Sequence, residues 1–150
     1  MNDAQSVSSG DTKRIRILFV CTGNTCRSVL AEYIGRRKFE ATIDTASAGI
    51  KPQAAADATA AVETLRDIGI DASLHRPRGL EEVDPDSFDQ VVAMEPHVAK
   101  IFRMRFPAFP LSRLKVWKID DPWDNPAAYA DCAEQVFHEL RKFVQKLRIP

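Results

Sequence analysis

The sequence predicts an α/β fold in a single domain, a three-layer sandwich in which a four-stranded parallel sheet carries helices on both faces. Short strand-like runs alternate with longer helical segments along the chain, as they do in proteins with parallel sheets. The segment Asp89–Met94 contains a short apolar run of the kind found in strands buried on both faces. A chain of 150 residues is also long enough to bury one substantial core.

Residue type and periodicity place the individual elements. β-branched and aromatic residues favour the first strand, and an apolar stripe at helical spacing favours the last helix. The predicted strands are Ile15–Val20, Thr42–Thr45, Asp89–Met94 and Leu114–Ile119. The predicted helices are Ser28–Phe39, Asp57–Ile68, Glu95–Phe106 and Tyr129–Leu147. Because ligands bind beyond the carboxyl ends of the strands in such sheets, we expect the loops that contain Cys21 and Asp121 to share that edge.

Composition and charge narrow the class of protein. Residues 1–13 are polar and lack the apolar core of a signal peptide, so we expect a flexible N-terminal tail before a domain at residues 14–150. The 21 acidic and 21 basic residues balance, and no apolar run approaches the length of a membrane span, so we expect neither nucleic acid nor a membrane as partner. An odd number of cysteines without a secretion signal favours reduced thiols in the cytoplasm, and we expect a monomer.

The most informative segment is residues 20–28, which read VCTGNTCRS between the first strand and the first helix. The first amide groups of a helix have no partner within it, and the helix dipole favours negative charge there, so this loop should bind an anion. A cysteine in this position ionises readily, and the Cys21 thiolate is a candidate nucleophile. The alternative is a structural cysteine that ends a strand.

Other residues of this loop suit the same chemistry. Arg27 offers a planar fork of donors for two phosphate oxygens, although it could also be an ordinary surface arginine. Gly23 and Asn24 tolerate left-handed backbone angles, which lets successive amide groups converge on one point. Ser28 either donates to the Cys21 sulfur or caps the helix, and one role does not exclude the other.

The loop after the last predicted strand supplies a candidate acid. Asp121 precedes a proline and should protonate a leaving group and then activate water. Asp120 is the competing assignment, but proline rigidifies the residue before it, which favours Asp121. Trp123 either stacks on an aromatic substrate ring or packs on the rim of the last helix.

The remaining cysteines and a histidine leave alternatives open. Cys26 is either the partner of Cys21 in a reversible protective disulfide or simply a cysteine at a helix start. Cys132, in the last helix, is predicted to lie in the core. His75 is a candidate supporting residue, and the sequence has no metal-ligand spacing that would recruit it to a metal.

Together these residues resemble the low-molecular-weight protein tyrosine phosphatase family, over nearly the whole chain after the tail. The resemblance is carried by the loop at residues 20–28 followed, near the C-terminus, by Asp121-Pro122. Supporting matches are Ala31-Glu32, Ser47-Ala48-Gly49, Gly69-Ile70-Asp71 and His75-Arg76.

The resemblance implies a two-step phosphatase that acts on a phosphorylated protein, holds phosphate or a similar oxyanion in its loop, and needs no metal or other cofactor. It implies that Cys21 is the nucleophile, Arg27 the phosphate clamp and Asp121 the general acid. The residues expected to bind substrate are Thr22, Gly23, Asn24, Thr25, Cys26, Ser28 and Trp123. Behind them, Ser47, His75 and Glu32 are expected to shape the loop through hydrogen bonds.

Two departures from the family pattern bear on function. Val29 replaces the usual proline after Arg-Ser, and valine continues a helix with little effect. Thr25 replaces the larger aliphatic residue of many tyrosine phosphatases and resembles the bacterial protein-arginine phosphatases, while the segment Ile50–Gln53 offers no aromatic residue for a second pocket wall. We predict phosphotyrosine as the substrate, because Trp123 suits an aromatic ring, and we keep phosphoarginine as the alternative.

Other classes of function fit the sequence less well. Arsenate reductases share the loop but use two further cysteines, and residues 90–105 contain none. A non-catalytic phosphoprotein-binding module should lack Cys21 or the acid, yet this chain has both. A nucleotide-binding loop would require Gly-Lys-Ser/Thr, which is missing.

Overall fold

A four-stranded parallel sheet forms the centre of the computed structural model, which describes residues 13–122 and 125–147. Its strands are β1 (Ile15–Cys21), β2 (Ile43–Gly49), β3 (Gln90–Ala93) and β4 (Leu114–Val116), in the order β2-β1-β3-β4. The chain moves from β1 to one side for β2 and then to the other side for β3. Ligands bind at such a switch in strand order, here next to the carboxyl end of β1.

Helices cover both faces of this sheet and create two cores. The helices are α1 (Arg27–Lys38), α2 (Thr59–Asp67), α3 (Pro96–Arg105) and α4 (Pro126–Leu147), with short 3-10 turns at Ala55–Ala58, Leu80–Glu82, Pro85–Ser87 and Leu111–Arg113. Side chains alternate along β1, so Ile17 and Phe19 pack in the core with α1, α2 and α4, whereas Leu18 and Val20 pack in the core with α3. The predicted fold class, a three-layer α/β sandwich, is confirmed.

Several predicted boundaries are wrong, including the start of the last helix, which is Pro126 rather than Tyr129. Three of the others have physical reasons. The helix expected over 57–68 begins as a 3-10 turn, because no side chain caps the first amide groups of α2. The second strand continues to Gly49, because β1 pairs with it as far as Cys21. The fourth strand ends at Val116, because the regular pairing with β3 ends at Ala93. Beyond it the Trp117 and Ile119 amides still donate to the carbonyls of Ala93 and Met94, at 2.8 and 3.3 Å.

Two further expectations concern the N-terminal tail and helices that could cross a membrane. Residues 1–12 of the predicted tail lie outside the described residues, so the tail stays a prediction. Within residues 13–122 and 125–147, no helix has both the length and the apolar character required to cross a membrane.

Candidate active site

The loop between β1 and α1 forms the floor of a pocket, defined here as residues 21–28. Asn24 adopts a left-handed conformation with φ of 58°, which turns the chain back over the end of β1. Gly49 at the end of β2 lets the loop pass close by, because a Cβ atom there would lie 2.8 Å from the Thr22 carbonyl oxygen. The amide groups of Ile50 and Lys51 donate to the carbonyls of Cys21 and Thr22 at 3.0 and 2.8 Å, so the sheet edge holds the floor in place.

A directional hydrogen-bond network runs beneath the floor through Asn24, whose side chain is fully buried. The Arg78 amide can only donate, and it donates to Asn24 Oδ1 at 3.0 Å, which fixes the orientation of the side-chain amide. Asn24 Nδ2 therefore donates to Ser28 Oγ at 3.0 Å and to Ser47 Oγ at 2.9 Å. Because Ser28 Oγ accepts this bond, its own hydrogen is available to Cys21 Sγ, 2.8 Å away.

The sulfur of Cys21 receives a second donor from the floor itself. The Asn24 backbone amide donates to Cys21 Sγ at 3.3 Å, and the Cys21 residue is only 3% exposed. Both donors stabilise a sulfur that carries negative charge. Ser28 lies inside α1, one residue after Arg27, and Cys26 occupies the cap position, so the helix-cap reading of Ser28 is wrong.

Glu32, Ser47 and His75 support the floor from below, as the resemblance implies. Ser47 Oγ accepts from Asn24 and donates to the buried carboxylate of Glu32, which also pairs with Arg36. His75 Nε2 lies 3.0 Å from the Asn24 carbonyl oxygen, and since a carbonyl only accepts, Nε2 carries the hydrogen of this bond. Each polar atom of this network therefore has a defined donor or acceptor role.

The guanidinium of Arg27 joins the floor to two other loops. Its Nη2 atom lies 2.7 Å from Glu95 Oε2 and 3.6 Å from Asp121 Oδ2, and Nη1 donates to the Ile119 carbonyl at 3.2 Å. Burial works against the charged form, but the hydrogen bond and charge of Glu95 outweigh it and raise the pKa of Arg27. A cation at the amino end of a helix is unfavourable on its own, so Glu95 and Asp121 also compensate for its position.

Above the floor lies a pocket of about 350 Å³. Its lining residues are Cys21, Thr22, Gly23, Thr25, Cys26, Arg27, Gln53, Asp57, Glu95, Asp121 and Tyr129. Asp121 belongs to this set and Asp120 does not. The pocket thus brings together a thiol, a guanidinium and a carboxylate from three separate loops, which suits transfer of an oxyanion group. Trp123 lies outside the described residues.

Four residues of this pocket were missed in the sequence. Glu95 follows β3 directly, and its place at the carboxyl end of the strand beside β1 was the signal that could have found it. Gln53, Asp57 and Tyr129, named here the outer wall, come from the segment after β2 and from the first turns of α4. Gln53 Oε1 accepts a hydrogen bond from Thr25 Oγ1 at 3.3 Å, so the floor and the outer wall meet through polar atoms.

The three cysteines are free thiols, and Cys26 packs against the core cluster that contains Cys132. Hydrogen bonding between the two thiols, followed by burial, raises the pKa of Cys26, and the same interaction lowers the pKa of Cys132. Cys132 is buried in the core, as predicted. Burial and the neighbouring Cys26 raise the pKa of Tyr129 to about 12. The reversible disulfide between Cys21 and Cys26 stays a prediction.

A protein family model and several known proteins match this chain. The family model described as low molecular weight phosphotyrosine protein phosphatase matches residues 16–149. A low molecular weight phosphotyrosine protein phosphatase from Schizosaccharomyces pombe is 35% identical, over 91% of this chain and 99% of its own length. An arsenate reductase from Halalkalibacterium halodurans is 36% identical, over 71% of this chain and 73% of its own length.

A solved structure with a named activity has the same fold. The arginine phosphatase YwlE from Geobacillus stearothermophilus superposes with a TM-score of 0.80 and 27% identity, covering 89% of this chain and 93% of its own. Proteins with three different named activities therefore resemble this chain. The residues of its pocket have to decide which of the three activities it has.

Proposed function

Because the chain belongs to the low molecular weight phosphotyrosine protein phosphatase family and is a phosphatase, we propose that it hydrolyses phosphotyrosine in proteins through a phosphocysteine on Cys21. One observation carries the proposal: Cys21, Arg27 and Asp121 line one pocket at the amino end of α1. A nucleophile, an anion clamp and a proton donor are the three groups that a two-step phosphatase requires.

In the first step, the Cys21 thiolate attacks phosphorus, an S–P bond forms, and the P–O bond to the tyrosine oxygen breaks. Asp121 gives its proton to that oxygen, so tyrosine leaves as a neutral phenol. Arg27 binds phosphoryl oxygens, and the amide groups at the start of α1 balance the remaining charge. Since these donors are already in place around the floor, they stabilise the transition state with little rearrangement.

In the second step, water attacks phosphorus and the S–P bond breaks. Asp121, now a carboxylate, takes a proton from the water, and inorganic phosphate leaves. The departing sulfur is again a thiolate, which the Ser28 hydroxyl and the Asn24 amide stabilise at 2.8 and 3.3 Å. Asp121 ends the cycle protonated and Cys21 ends it as a thiolate, as both began.

A second candidate, hydrolysis of phosphoarginine, is favoured by one contact. The Thr25 hydroxyl donates to Gln53 Oε1, so this side of the pocket is polar rather than aromatic. A relative named as a protein-arginine phosphatase, from Geobacillus stearothermophilus, shares 37% identity over 61% of this chain. Polar oxygens beside the phosphate site suit a guanidinium better than a phenyl ring.

Turnover of matched peptides separates the two candidates. We expect wild type to give a higher kcat/KM on a phosphotyrosine peptide than on a phosphoarginine peptide of otherwise identical sequence. Thr25→Ile should change the phosphotyrosine rate little, and Thr25→Ser is the control that keeps the hydroxyl. Preference for phosphoarginine in wild type and Thr25→Ser, lost in Thr25→Ile, would refute the proposal and establish the second candidate.

The same mechanism sets the conditions under which the protein works. Cys21 has to remain a thiol, which favours a reducing compartment such as the cytoplasm. All the residues used in the two steps come from one chain, so a monomer suffices for activity.

A further inference from the structure

Among the described residues that line the pocket, acidic groups outnumber cations. Among its lining residues in the described part of the chain, Arg27 is the cation, and Asp57, Glu95 and Asp121 are the acids. Glu95 lies 2.7 Å from the Arg27 guanidinium and balances its charge, and Asp121, the proposed proton donor, lies 3.6 Å from it. Asp57 has no ion pair or side-chain hydrogen bond within residues 13–122 and 125–147, so its charge faces the pocket uncompensated.

The surrounding secondary structure gives Asp57 no evident structural task. The residue lies in the 3-10 turn Ala55–Ala58, where an aspartate often caps the following helix. Here the cap position of α2 is Ala58, and no side chain caps it. The exposed carboxylate instead lines the pocket next to Gln53, whose Oε1 accepts from Thr25.

These oxygens determine which substrates the outer wall suits. A phosphoryl group on the floor places two negative charges in the pocket that Asp57 lines, and like charges repel. A cation next to the phosphoryl group relieves that repulsion and pairs with the carboxylate. The wall therefore favours a positively charged group close to the phosphorylated residue and disfavours an acidic one.

We propose that Asp57 is a specificity residue, which selects phosphorylated side chains that have a cation beside the phosphoryl group. This inference rests on the proposed function. The cation has two chemical sources, a lysine or arginine that flanks phosphotyrosine, or the guanidinium of phosphoarginine itself. Because Asp57 is exposed, its ion pair is weak and screened by salt, and we expect an effect of about two- to fivefold.

The test compares substrate preference in wild type, Asp57→Asn and a matched control, Asp67→Asn, which removes an exposed acid of α2 that does not line the pocket. The substrates are phosphotyrosine peptides with arginine, glutamine or glutamate neighbours, and one phosphoarginine peptide. The readout is the ratio of kcat/KM values between substrates within each variant, so a general change in activity cancels. Each ratio is measured at low and at high salt.

We expect wild type and Asp67→Asn to prefer the phosphotyrosine peptide with arginine neighbours over the one with glutamine neighbours by about two- to fivefold at low salt. Asp57→Asn should lose that preference, or should lower the ratio of phosphoarginine to glutamine-peptide turnover by a similar factor, and the arm that responds identifies the source of the cation. Equal ratios in wild type and Asp57→Asn on both arms, or an equal loss in Asp67→Asn, would overturn the inference. Failure of wild type to hydrolyse any phosphopeptide would instead refute the proposed function.

Discussion

The floor and the outer wall of the pocket are built in opposite ways. The floor is one continuous loop in which the side chains of Asn24 and Ser28 are fully buried and hydrogen-bonded. The outer wall is assembled from two distant segments, and both Gln53 and Asp57 are exposed. Reaction chemistry needs fixed geometry, whereas substrate choice needs only a few accessible groups. In this molecule, therefore, reaction chemistry and substrate choice belong to different parts of the pocket.

This separation has a structural cause. The floor connects the carboxyl end of the strand β1 to the first turn of α1, so regular structure fixes both of its ends. The network from Arg78 through Asn24 then leaves each side chain one orientation. Within the described part of the chain, residues of the outer wall have no comparable network, so we expect substitutions there to alter selectivity before they alter the chemical step.

The largest effect should come from the floor. Cys21→Ser should lower kcat on an aryl phosphate by about 10⁴-fold or more, because the hydroxyl is a far weaker nucleophile than a thiolate. The matched control is Cys132→Ser, which changes a buried cysteine that does not line the pocket. Steady-state rates of the two variants and of wild type provide the measurement. Comparable turnover by Cys21→Ser and wild type would show that Cys21 is not the nucleophile.

Loss of the acid should come next. Asp121→Asn should slow a substrate with a poor leaving group by about 10²–10⁴-fold and a substrate with a good leaving group much less, since only the former requires a proton. Asp120→Asn is the neighbouring control and should not change that ratio. A series of aryl phosphates with graded leaving-group pKa values measures the effect, and equal slowing across the series would argue against acid catalysis.

The network beneath the floor should give a smaller effect. Asn24→Ala and Asn24→Gly both remove the bonds to Ser28 and Ser47, and we expect each to lower kcat by about tenfold, the equivalent of about 1.4 kcal/mol. Of the two replacements, only glycine tolerates the positive φ of this position, so Asn24→Ala should also be the less stable variant, by about 1 kcal/mol. Urea unfolding checks this difference, and equal stability of the two variants would contradict it.

Tyr129, in the outer wall, should give the smallest of these four effects, and it appears only at high pH. With its pKa raised to about 12, Tyr129 should stay protonated at pH 10, where an ordinary tyrosine is half ionised. The folded state therefore holds this proton more tightly, and the associated stability is lost as pH rises from about 10 towards 12. Absorbance titration of the phenols in wild type and Tyr129→Phe checks the shift, which a Tyr129 transition centred near pH 10 would exclude.

The same contrast explains what the sequence could predict. The floor is contiguous, so residues 20–28 already specify a strand end, a left-handed turn and a helix start, and the role of Asn24 as a backbone turn follows from its residue type. Asp121 was also predictable, because topology alone places it at the same edge as Cys21. Ser47 and Glu32 came from the family resemblance rather than from any local pattern, and the resemblance gave the candidate His75 its role.

The outer wall was not predictable by the same reasoning. Gln53 and Asp57 lie in an alanine-rich stretch without a recognisable motif, and Tyr129 reads as an ordinary residue of an amphipathic helix. Their place in the pocket depends on how α4 packs on α1 and on the path of the chain after β2, which are tertiary features. The contact between Cys26 and Cys132 was missed for the same reason.

The measurement that tests the central claim most directly is acid quenching of wild type during turnover of an aryl phosphate, followed by mass spectrometry of its peptides. Our account predicts one added phosphoryl group on the peptide that contains Cys21, present in wild type and absent in Cys21→Ser. A phosphoryl group on another residue, or rapid release of the aryl alcohol with no phosphorylated peptide at any time, would contradict it.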